Sequence, residues 1–433
     1  MTVSCPALML SAIASGEGKT TVTAALARFH ARQGRKVTVF KFGPDYLDPQ
    51  ILATASGQPV EQLDMWMAGE AWVRQQLYQA AKTSDLILIE GAMGLLDGDP
   101  CTADLAVRFD IPVAVLLNAK GMAQTSAAIA YGLANYRTDF KFHGLIANAL
   151  GSNRHAELIT DAMPKDIPLL ACLRRDDNIS LPERHLGLVQ PEEQEGLLER
   201  LDAAADWIEG SALTELPPAV EFEDQHLQEP APLLAGKKIA IARDEAFSFI
   251  YAANLRLLEK MGAELSFFSP IHDQQLPVAD ALWLPGGYPE LHCEALYGNQ
   301  LMIEQLKQFH QQNKPILAEC GGMLYVQQQL TNLQGETFPM AGLIPGHGRM
   351  RGRSGCQGMQ TGVFPEGEVR AHAHHRSRSE DNLEPIGHGR RQRHSAPGEA
   401  IYRDKNLTAS YLHLFFPSAP EVVAALFDGK NDG

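Results

Sequence analysis

The chain has 433 residues, which is too long for one ordinary hydrophobic core, so two domains are expected. Its 45% hydrophobic and 21% charged residues are typical of a globular protein, and no apolar run approaches the roughly 20 residues of a membrane span. The formal charge of −15 argues against nucleic acid as the main partner, because phosphate backbones attract basic surfaces. We therefore expect small-molecule chemistry, with neither nucleic acid nor a membrane as partner.

The first half of the chain alternates short apolar runs with amphipathic stretches, which is typical of βα units around a parallel sheet. The runs are apolar throughout, as expected of strands that are covered on both faces. The predicted strands are residues 6–12, 36–42, 85–90, 112–118, 143–148 and 168–172. Residues 20–33 and 125–136 are predicted helices between them. Residues 1–210 are thus predicted to form one α/β domain.

A glycine-rich loop follows the first predicted strand and opens the first predicted helix. The backbone amides of such a loop cradle phosphates at the helix N-terminus, a lysine reaches the terminal phosphates, and a hydroxyl holds Mg²⁺. The predicted nucleotide-binding residues are Gly16, Gly18, Lys19, Thr20 and Thr21. Ile13 stands where the usual phosphate-loop pattern has its first glycine, so a plain glycine-rich turn is the alternative. The position of the loop favours ATP with Mg²⁺.

Two more predicted strands end in acidic segments, at residues 41–49 and 90–98. Ligands of open parallel sheets bind beyond the carboxyl ends of the strands, so these segments are expected to converge on one Mg²⁺–phosphate centre. Thr20, Asp45 and Glu90 are the predicted metal ligands, and Lys41 joins the nucleotide site. The predicted substrate contacts are Asp48, Tyr46 and Asp97. Each acidic residue alone also fits a turn, because turns use Asp, Gly and Pro.

Between residues 211 and 236 the alternation of apolar runs and amphipathic stretches ends, and prolines and acidic residues take its place, which predicts an interdomain linker. A second βα series follows, so residues 237–433 are predicted to form a second α/β domain. Its predicted strands are Lys238–Ala242, Glu264–Phe268, Ala281–Leu284 and residues 315–319. Residues 387–394 are rich in Gly, His and Arg and are predicted to form a polar loop.

The strand at residues 315–319 runs straight into Cys320, two glycines and a predicted helical stretch at 324–330, which indicates a nucleophile elbow. A helix N-terminus favours the thiolate, and His413 near the end of the chain is the candidate base. The amides of Gly287 and Gly321 are predicted to bind the oxyanion of a tetrahedral intermediate. A structural cysteine and a core histidine are the alternatives, but the order of the motifs favours catalysis.

The six cysteines are scattered without a CxxC pair, so neither a disulfide framework nor a structural zinc site is predicted. A reducing cytoplasm is the expected location. The histidines between His372 and His375 could be mistaken for a metal site, but metal binding is disfavoured there because no acidic or thiol ligand lies close to them in the sequence.

These motifs together resemble the cobyrinic and hydrogenobyrinic acid a,c-diamide synthase family of cobalamin biosynthesis over nearly the whole chain. The stretches that carry the resemblance are residues 15–21, 42–49, 63–67, 90–98, 241–249, 286–291 and 319–322. The resemblance implies a dethiobiotin-synthetase-like phosphate-loop domain with a parallel sheet, followed by a class I glutamine amidotransferase-like α/β domain.

The family chemistry implied by the resemblance joins the two halves. Glutamine forms a thioester with Cys320 and releases ammonia, ATP phosphorylates the a and c acetate groups of a corrinoid, and ammonia displaces the phosphate. Lys19, Thr20, Asp45 and Glu90 match the family's nucleotide and metal motifs. The implied partners are L-glutamine, ATP and a corrinoid dicarboxylate, and a homodimer is one option for the oligomeric state.

Three positions depart from the patterns of relatives. Ala12 stands where related loops have glycine, and Ala373 stands where the family often has a glutamate. Class I glutaminases commonly have a glutamate two residues after the histidine, where this chain has Phe415. The family tends to lack that acid as well, so the pair of Cys320 and His413 must orient its base otherwise. Slow or loosely coupled glutamine hydrolysis is therefore expected.

Two other functions remain alternatives at this point. The related cobyric acid synthases amidate other side chains of the corrinoid, and the length and residues 42–49 favour the diamide synthase. A partitioning-type phosphate-loop ATPase that acts as a switch, with an inactive glutaminase-like domain, is the alternative from another class. The acidic charge and the fused second domain argue against that switch.

Overall fold

A computed structural model describes residues 1–184, 187–352 and 355–429, which divide into two compact units. The first unit contains Met1–Asp64 and Glu70–Leu227, and the second contains Met65–Gly69 and Gln228–Gly433. Among the helices of those described residues, none has the length and apolar character that crossing a membrane requires.

The first unit alternates strands and helices along the chain. Its strands are β1 Thr2–Ala12, β2 Val37–Phe42, β3 Glu61–Leu63, β4 Leu86–Glu90, β5 Val113–Asn118, β6 Phe142–Leu150, β7 Leu169–Arg174, β8 Glu183–Arg184, β9 Gly187–Leu188 and β10 Ala219–Glu223. Its helices are α1 Lys19–Arg32, α2 Leu47–Ser56, α3 Glu70–Thr83, α4 Thr102–Phe109, α5 Thr125–Tyr136, α6 Asn153–Ala162 and α7 Leu197–Ile208.

The main sheet of this unit is parallel, with the strand order β3-β2-β4-β1-β5-β6-β7. All five residues of β4 are buried, which explains why its sequence is apolar up to the terminal Glu90. Because β2, β4 and β1 are neighbours, the loops after their carboxyl ends meet at one edge of the sheet. That edge is where the sequence predicts the nucleotide.

The six strands predicted in the first half are all present, with ends shifted by a few residues. The structure differs from the expected linker at β10, which pairs antiparallel with the first half of β1. Val220 and Phe222 are buried there while their neighbours are exposed, so the strand alternates with period two among prolines. The short strand β3 was not predicted, because its three polar and apolar residues form no recognisable run.

The second unit combines a parallel sheet with a long antiparallel extension. Its strands are β11 Lys238–Ala242, β12 Glu264–Phe268, β13 Ala281–Leu284, β14 Ile316–Glu319, β15 Gln329–Thr331, β16 Thr337–Pro339, β17 His347–Met350, β18 Cys356–Phe364, β19 Gly367–His375, β20 Ser377–Glu380, β21 Gly387–Arg391, β22 Pro397–Asp404, β23 Leu407–Ser410 and β24 Leu412–Leu414. Its helices are α8 Ala252–Lys260, α9 Cys293–Gly298, α10 Gln300–Gln311, α11 Gly321–Val326 and α12 Pro420–Asp428.

The order of the large sheet is β12-β11-β13-β14-β23-β22-β21-β18-β19-β24, and it is parallel from β12 to β23. The remaining pairs are antiparallel. Only Tyr411 separates β23 from β24, although the two strands stand at distant places in this order. The chain therefore passes from the neighbour of β14 to the neighbour of β19 within a few residues.

The four strands predicted for the second unit are confirmed by β11 to β14, but two other predictions are wrong. Helix α11 ends at Val326, because Gln329 already begins β15, so the helical stretch does not reach residue 330. The expected loop at 387–394 contains β21, in which only Gly389 is buried. Because its exposed side chains are polar, the sequence shows no apolar run there, and the strand is held by backbone pairing with β22.

Candidate nucleotide and glutaminase sites

The glycine-rich loop of the first unit wraps the N-terminus of α1. Gly16 and Gly18 have φ angles of 79° and 93°, in the left-handed region that favours glycine. The Lys19 ammonium donates to the carbonyl oxygens of Met93, at 2.7 Å, and Ala14, at 3.3 Å. The first amides of a helix have no partner within the helix, so this N-terminus presents donors suited to an anion.

Lys41 lies at the centre of an acidic cluster beyond β2 and β4. Its Nζ is 2.5 Å from Asp48 Oδ2, 2.5 Å from Glu90 Oε1 and 3.8 Å from Asp45 Oδ2. The Thr20 hydroxyl donates to the same Glu90 oxygen at 3.0 Å. The structure thus brings together the predicted residues Thr20, Lys41, Asp45, Asp48 and Glu90. The Lys41 ammonium contacts carboxylates in this structure. A direct contact between Lys41 and phosphate stays a prediction.

The cluster carries more negative than positive charge when its carboxyl groups are ionised. Burial raises the pKa of Asp45 to about 6 and that of Glu90 to about 7. Burial acts against the charge of Lys41, but Asp48, Glu90 and Asp45 outweigh it and raise the lysine's pKa. Burial together with Lys41 lowers the pKa of Lys19. Burial thus outweighs the opposing effect of Lys41 on both carboxyl groups.

Two of the predicted substrate residues lie elsewhere in this region. Tyr46 is 4% exposed and directly precedes α2, whereas Asp97 is exposed in the loop after β4. Gly94 packs against the Asp97 carboxylate so closely that an added Cβ would collide with it. A substrate role for either residue stays a prediction.

Two residues that the sequence analysis missed fix the phosphate loop. The backbone N–H of Asn118 donates to Glu17 Oε2 at 2.6 Å, and the side-chain amide of Asn148 donates to the Glu17 carbonyl oxygen at 2.9 Å. An added Cβ at Gly18 would lie 2.7 Å from Asn148 Nδ2, so this glycine also permits a close approach. The polar side chain of Asn148 at the end of its predicted strand was an available signal, whereas the contact of Asn118 uses a backbone N–H that residues of other types also offer.

In the second unit, Cys320 forms a sharp turn between β14 and α11. Its φ of 45° and ψ of −101° are unusual for a residue with a side chain, and such strain is common at functional sites. The side chain is nearly buried, and the Cys320 amide donates to the Ser410 carbonyl at 2.7 Å. An added Cβ at Gly322 would collide with the Leu284 carbonyl. Glycine is required there for the helix to lie against β13.

The turn after β13 connects the predicted nucleophile, base and oxyanion amides. Gly286 packs against the imidazole of His413 so closely that an added Cβ would collide with the ring. The Gly287 amide nitrogen would lie 2.9 Å from a Cβ added at Gly321. His413 is on β24 and only 1% exposed. The structure therefore places the predicted residues Cys320, His413, Gly287 and Gly321 around one turn.

The thiol of Cys320 is not the lowered-pKa thiol that the sequence predicts. Burial, with Glu290 as the next contributor, raises its pKa far above the ordinary value, and α11 has only six residues to oppose this. Burial and the neighbouring His372 lower the pKa of His413 well below its ordinary value. The resting pair is thus a neutral thiol and a neutral imidazole, and the imidazole can accept a proton.

Glu319, directly before the nucleophile, is a further residue that the sequence analysis did not select. It is 2% exposed and accepts hydrogen bonds from Leu414 N at 2.8 Å and Trp283 Nε1 at 2.9 Å. Burial raises its pKa to about 8. A charged residue at the end of an otherwise apolar strand could have identified it. The carboxyl group links the strand of the cysteine to the strand of the histidine.

All six cysteines are free in the structure. Four of them are buried, namely Cys5, Cys101, Cys293 and Cys320, while Cys172 and Cys356 are intermediate.

Family models match both halves of the chain. Residues 8–189 match the CobQ/CobB/MinD/ParA nucleotide binding domain, and residues 238–421 match the CobB/CobQ-like glutamine amidotransferase domain. The first match contains the loop and the acidic cluster described above, and the second contains the elbow, the Gly286 turn and His413.

Several relatives match the chain over almost its whole length. A hydrogenobyrinate a,c-diamide synthase of Stutzerimonas stutzeri is 53% identical over 98% of this chain and 98% of its own length. The protein of the same name from Pseudomonas aeruginosa is 51% identical over 99% of this chain and 98% of its own. A cobyrinate a,c-diamide synthase of Herminiimonas arsenicoxydans is 48% identical over 97% and 96%.

Proposed function

The chain belongs to the family of hydrogenobyrinate and cobyrinate a,c-diamide synthases, and from this we propose how its residues carry out the reaction. The enzyme is a glutamine-dependent amidotransferase ligase of cobalamin biosynthesis. It amidates the a and c acetate carboxylates of a corrinoid, with ATP as the second substrate. The observation that supports this best is the strained Cys320 elbow beside the turn that also contacts His413.

In the glutaminase unit, Cys320 Sγ attacks the carboxamide carbon of glutamine while His413 accepts the thiol proton. The amides of Gly287 and Gly321 stabilise the negative oxygen of the tetrahedral intermediate. His413 then returns the proton to the leaving nitrogen, so that ammonia departs and a thioester remains. Water hydrolyses this thioester to glutamate and regenerates Cys320. The raised thiol pKa and the lowered imidazole pKa keep both groups neutral at rest, so the proton moves during the attack and not before it.

In the synthetase unit, the carboxylate oxygen of the corrinoid attacks the terminal phosphorus of ATP, and ADP leaves. Ammonia then attacks the resulting acyl phosphate, and inorganic phosphate departs with the former carboxylate oxygen. Phosphorylation is needed because a carboxylate resists attack by ammonia. Lys19 and the amides from Gly16 to Thr21 are suited to the phosphates, since the lysine side chain and the helix N-terminus face one loop.

The residues present fit a magnesium ion at the acidic cluster. Glu90 Oε2 is buried and accepts no hydrogen bond from the described residues, and the cluster's oxygen donors are those that Mg²⁺ prefers. Thr20, Asp45 and Glu90 would hold the ion, which when bound neutralises charge on the phosphates. Lys41 holds the carboxylates of Asp48 and Glu90 together. Asp48, Tyr46 and Asp97 are proposed to face the corrinoid.

The proposal also includes a cytoplasmic enzyme, since its cysteines are free, and a homodimer as its oligomeric state. Sedimentation of the purified chain tests the dimer.

Whether the corrinoid contains cobalt is tested by parallel turnover of hydrogenobyrinic and cobyrinic acids with ATP, Mg²⁺ and glutamine. We expect the cobalt-free acid to give the higher kcat/KM, because the relatives at 53% and 51% identity are named for hydrogenobyrinate. The product is identified by the mass change of two amidations. Equal turnover, or a preference for cobyrinic acid, contradicts the expectation. No amidation of either acid contradicts the proposed function.

A further inference from the structure

The second unit contains a cavity of about 270 Å³ whose wall carries a thiol, an imidazole and a carboxylate. They belong to Cys356, His375 and Glu399, and their ligand atoms all lie within 4.8 Å of one another. We propose that these three side chains bind one divalent metal ion of the zinc class. The ion is distinct from the Mg²⁺ of the synthetase unit, and the proposed reaction does not require it.

His375 is prepared as a ligand by its surroundings. The side chain is 8% exposed, and its Nδ1 is 3.1 Å from the Ser377 carbonyl oxygen, to which it donates. The other ring nitrogen, Nε2, faces the cluster, where its nearest partner among the described residues is the Glu399 carboxylate at 3.5 Å. The ring stacks on Tyr411 at a centroid distance of 3.8 Å, which fixes its orientation. Metal-binding histidines commonly donate their second nitrogen to a carbonyl in this way.

The other two ligands arrive from neighbouring strands. Cys356 stands directly opposite His375 in the pairing of β18 with β19, and Glu399 lies on β22. His375 Nε2 and Glu399 Oε2 are 3.5 Å apart, close to the separation of about 3.3–3.8 Å between ligand atoms of a tetrahedral zinc ion. The Cys356 sulfur lies within 4.8 Å of both of these atoms. The fourth position faces the cavity, as in sites with three protein ligands.

The backbone and a glutamine hold the carboxylate and thiol in place. The Glu399 amide donates to Gln360 Oε1 at 2.8 Å, and Gln360 Nε2 is 3.8 Å from Cys356 Sγ. Arg391 is 3.9 Å from the Glu399 carboxylate. The Cys356 sulfur carries a proton as a thiol and binds a metal ion as the thiolate. Formation of the sulfur–metal bond then releases that proton to water, without a redox change.

Cobalt(II) is the probe that tests the site, because a thiolate–cobalt bond gives a charge-transfer band that carboxylate-bound cobalt lacks. The full chain, with any affinity tag removed, is titrated with Co²⁺ and then with Zn²⁺. We expect a band that saturates at one Co²⁺ per chain and is lost when Zn²⁺ displaces the cobalt. Cys356→Ser should abolish it, and Glu399→Gln should weaken binding at least about tenfold, since mutation of even an outer-shell partner of a metal ligand typically has an effect of that size.

Two control variants decide which cysteine binds. Cys320→Ser and Cys172→Ser should retain the band, since neither sulfur belongs to the cluster. Zn²⁺ should also raise the thermal unfolding temperature of these controls but not that of Cys356→Ser, because a ligand of the folded state stabilises it. Absence of the band in the wild type overturns the proposal. A band that survives in Cys356→Ser, or disappears in Cys320→Ser alone, overturns it equally.

A second, independent inference concerns Glu319 and rests on the proposed roles of Cys320 and His413. Glu319 directly precedes Cys320, and its carboxyl oxygens accept hydrogen bonds from Leu414 N and Trp283 Nε1. Because Leu414 directly follows His413, the carboxyl group connects the segment of the nucleophile to the segment of the base. The position that commonly carries an acid in class I glutaminases is Phe415, which is 1% exposed. We infer that Glu319 is a positioning residue that holds the backbone of β24, and thereby His413, beside Cys320.

Glu319→Gln tests this role, because the amide keeps the shape but presents a donor to one of two N–H groups. We expect kcat of glutamine hydrolysis to fall about 10²-fold, as for a catalytic group displaced by about 1 Å, with a much smaller change in KM. Ammonia-dependent amidation should stay at the wild-type rate. Glu319→Asp, which keeps the carboxyl group but withdraws it from Leu414, should give the same pattern and serves if the glutamine variant does not fold.

Trp283→Phe is the matched structural control. It removes the other hydrogen bond of Glu319 within the same buried layer but leaves the contact to Leu414. We expect it to lower the unfolding temperature while kcat of glutamine hydrolysis stays within a few-fold of wild type. If Trp283→Phe lowers kcat as much as Glu319→Gln at equal loss of stability, Glu319 is merely structural. Glutamine-dependent activity that survives in Cys320→Ser instead contradicts the proposed nucleophile itself.

Discussion

Replacement of Cys320 by serine is expected to lower glutamine-dependent amidation by at least about 10³-fold, while ammonia-dependent amidation stays at the wild-type rate. Serine fits the elbow, because it is similar in size and Cys320 is nearly buried in a turn that depends on backbone contacts. Its hydroxyl is a much weaker nucleophile beside a neutral imidazole. Product formation is measured with saturating ATP and corrinoid, first with glutamine and then with an ammonium salt.

Cys293→Ser is the control for this substitution. Cys293 is 4% exposed and Cys320 is 5% exposed, so both changes place a hydroxyl at a buried position of the same unit. We expect Cys293→Ser to retain amidation with both nitrogen sources. Glutamine-dependent activity that persists in Cys320→Ser would show that another residue is the nucleophile. Loss of ammonia-dependent activity as well would show that the two halves are not chemically separable.

The sequence predicts the parallel parts of both units well because their strands are buried on both faces. Strand β13 is apolar from end to end and β4 is apolar up to its terminal Glu90, and the ligand-binding loops follow their carboxyl ends. The antiparallel extension was harder to predict, since strands such as β21 expose polar side chains and are held by backbone pairing. Hydrophobic periodicity carries no signal there.

Contacts between distant segments account for what the sequence did not predict at the sites. Glu319 is a single acidic residue in an apolar strand until Leu414 and Trp283 are placed around it. His375 has no thiol or acid near it in the sequence, but the pairing of β18 with β19 and the position of β22 bring Cys356 and Glu399 to it. The pKa of the Cys320 thiol is higher than the sequence predicts, because burial of the side chain outweighs the effect of the helix N-terminus that follows it.

Replacement of Lys19 by methionine is expected to lower amidation by about 10²–10³-fold with glutamine and ammonia alike, as removal of a preorganised charge at a reacting group does. Lys19 Nζ now donates to the carbonyls of Met93 and Ala14, so the loop already holds the ammonium beside the helix N-terminus. Methionine keeps the length of the side chain and removes only the charge and the donors. Initial rates are measured over a range of ATP concentrations with each nitrogen source.

Glutamine hydrolysis without ATP or corrinoid should be unaffected by Lys19→Met, because Cys320 and His413 belong to the other unit. Lys165→Met removes an exposed lysine of the same unit and should leave every rate unchanged. The two variants Cys320→Ser and Lys19→Met thus separate nitrogen release from carboxylate activation. A Lys19→Met enzyme that still amidates with ammonia at the wild-type rate would place ATP elsewhere. The glycine-rich loop would then be the plain βα turn that its missing first glycine allows.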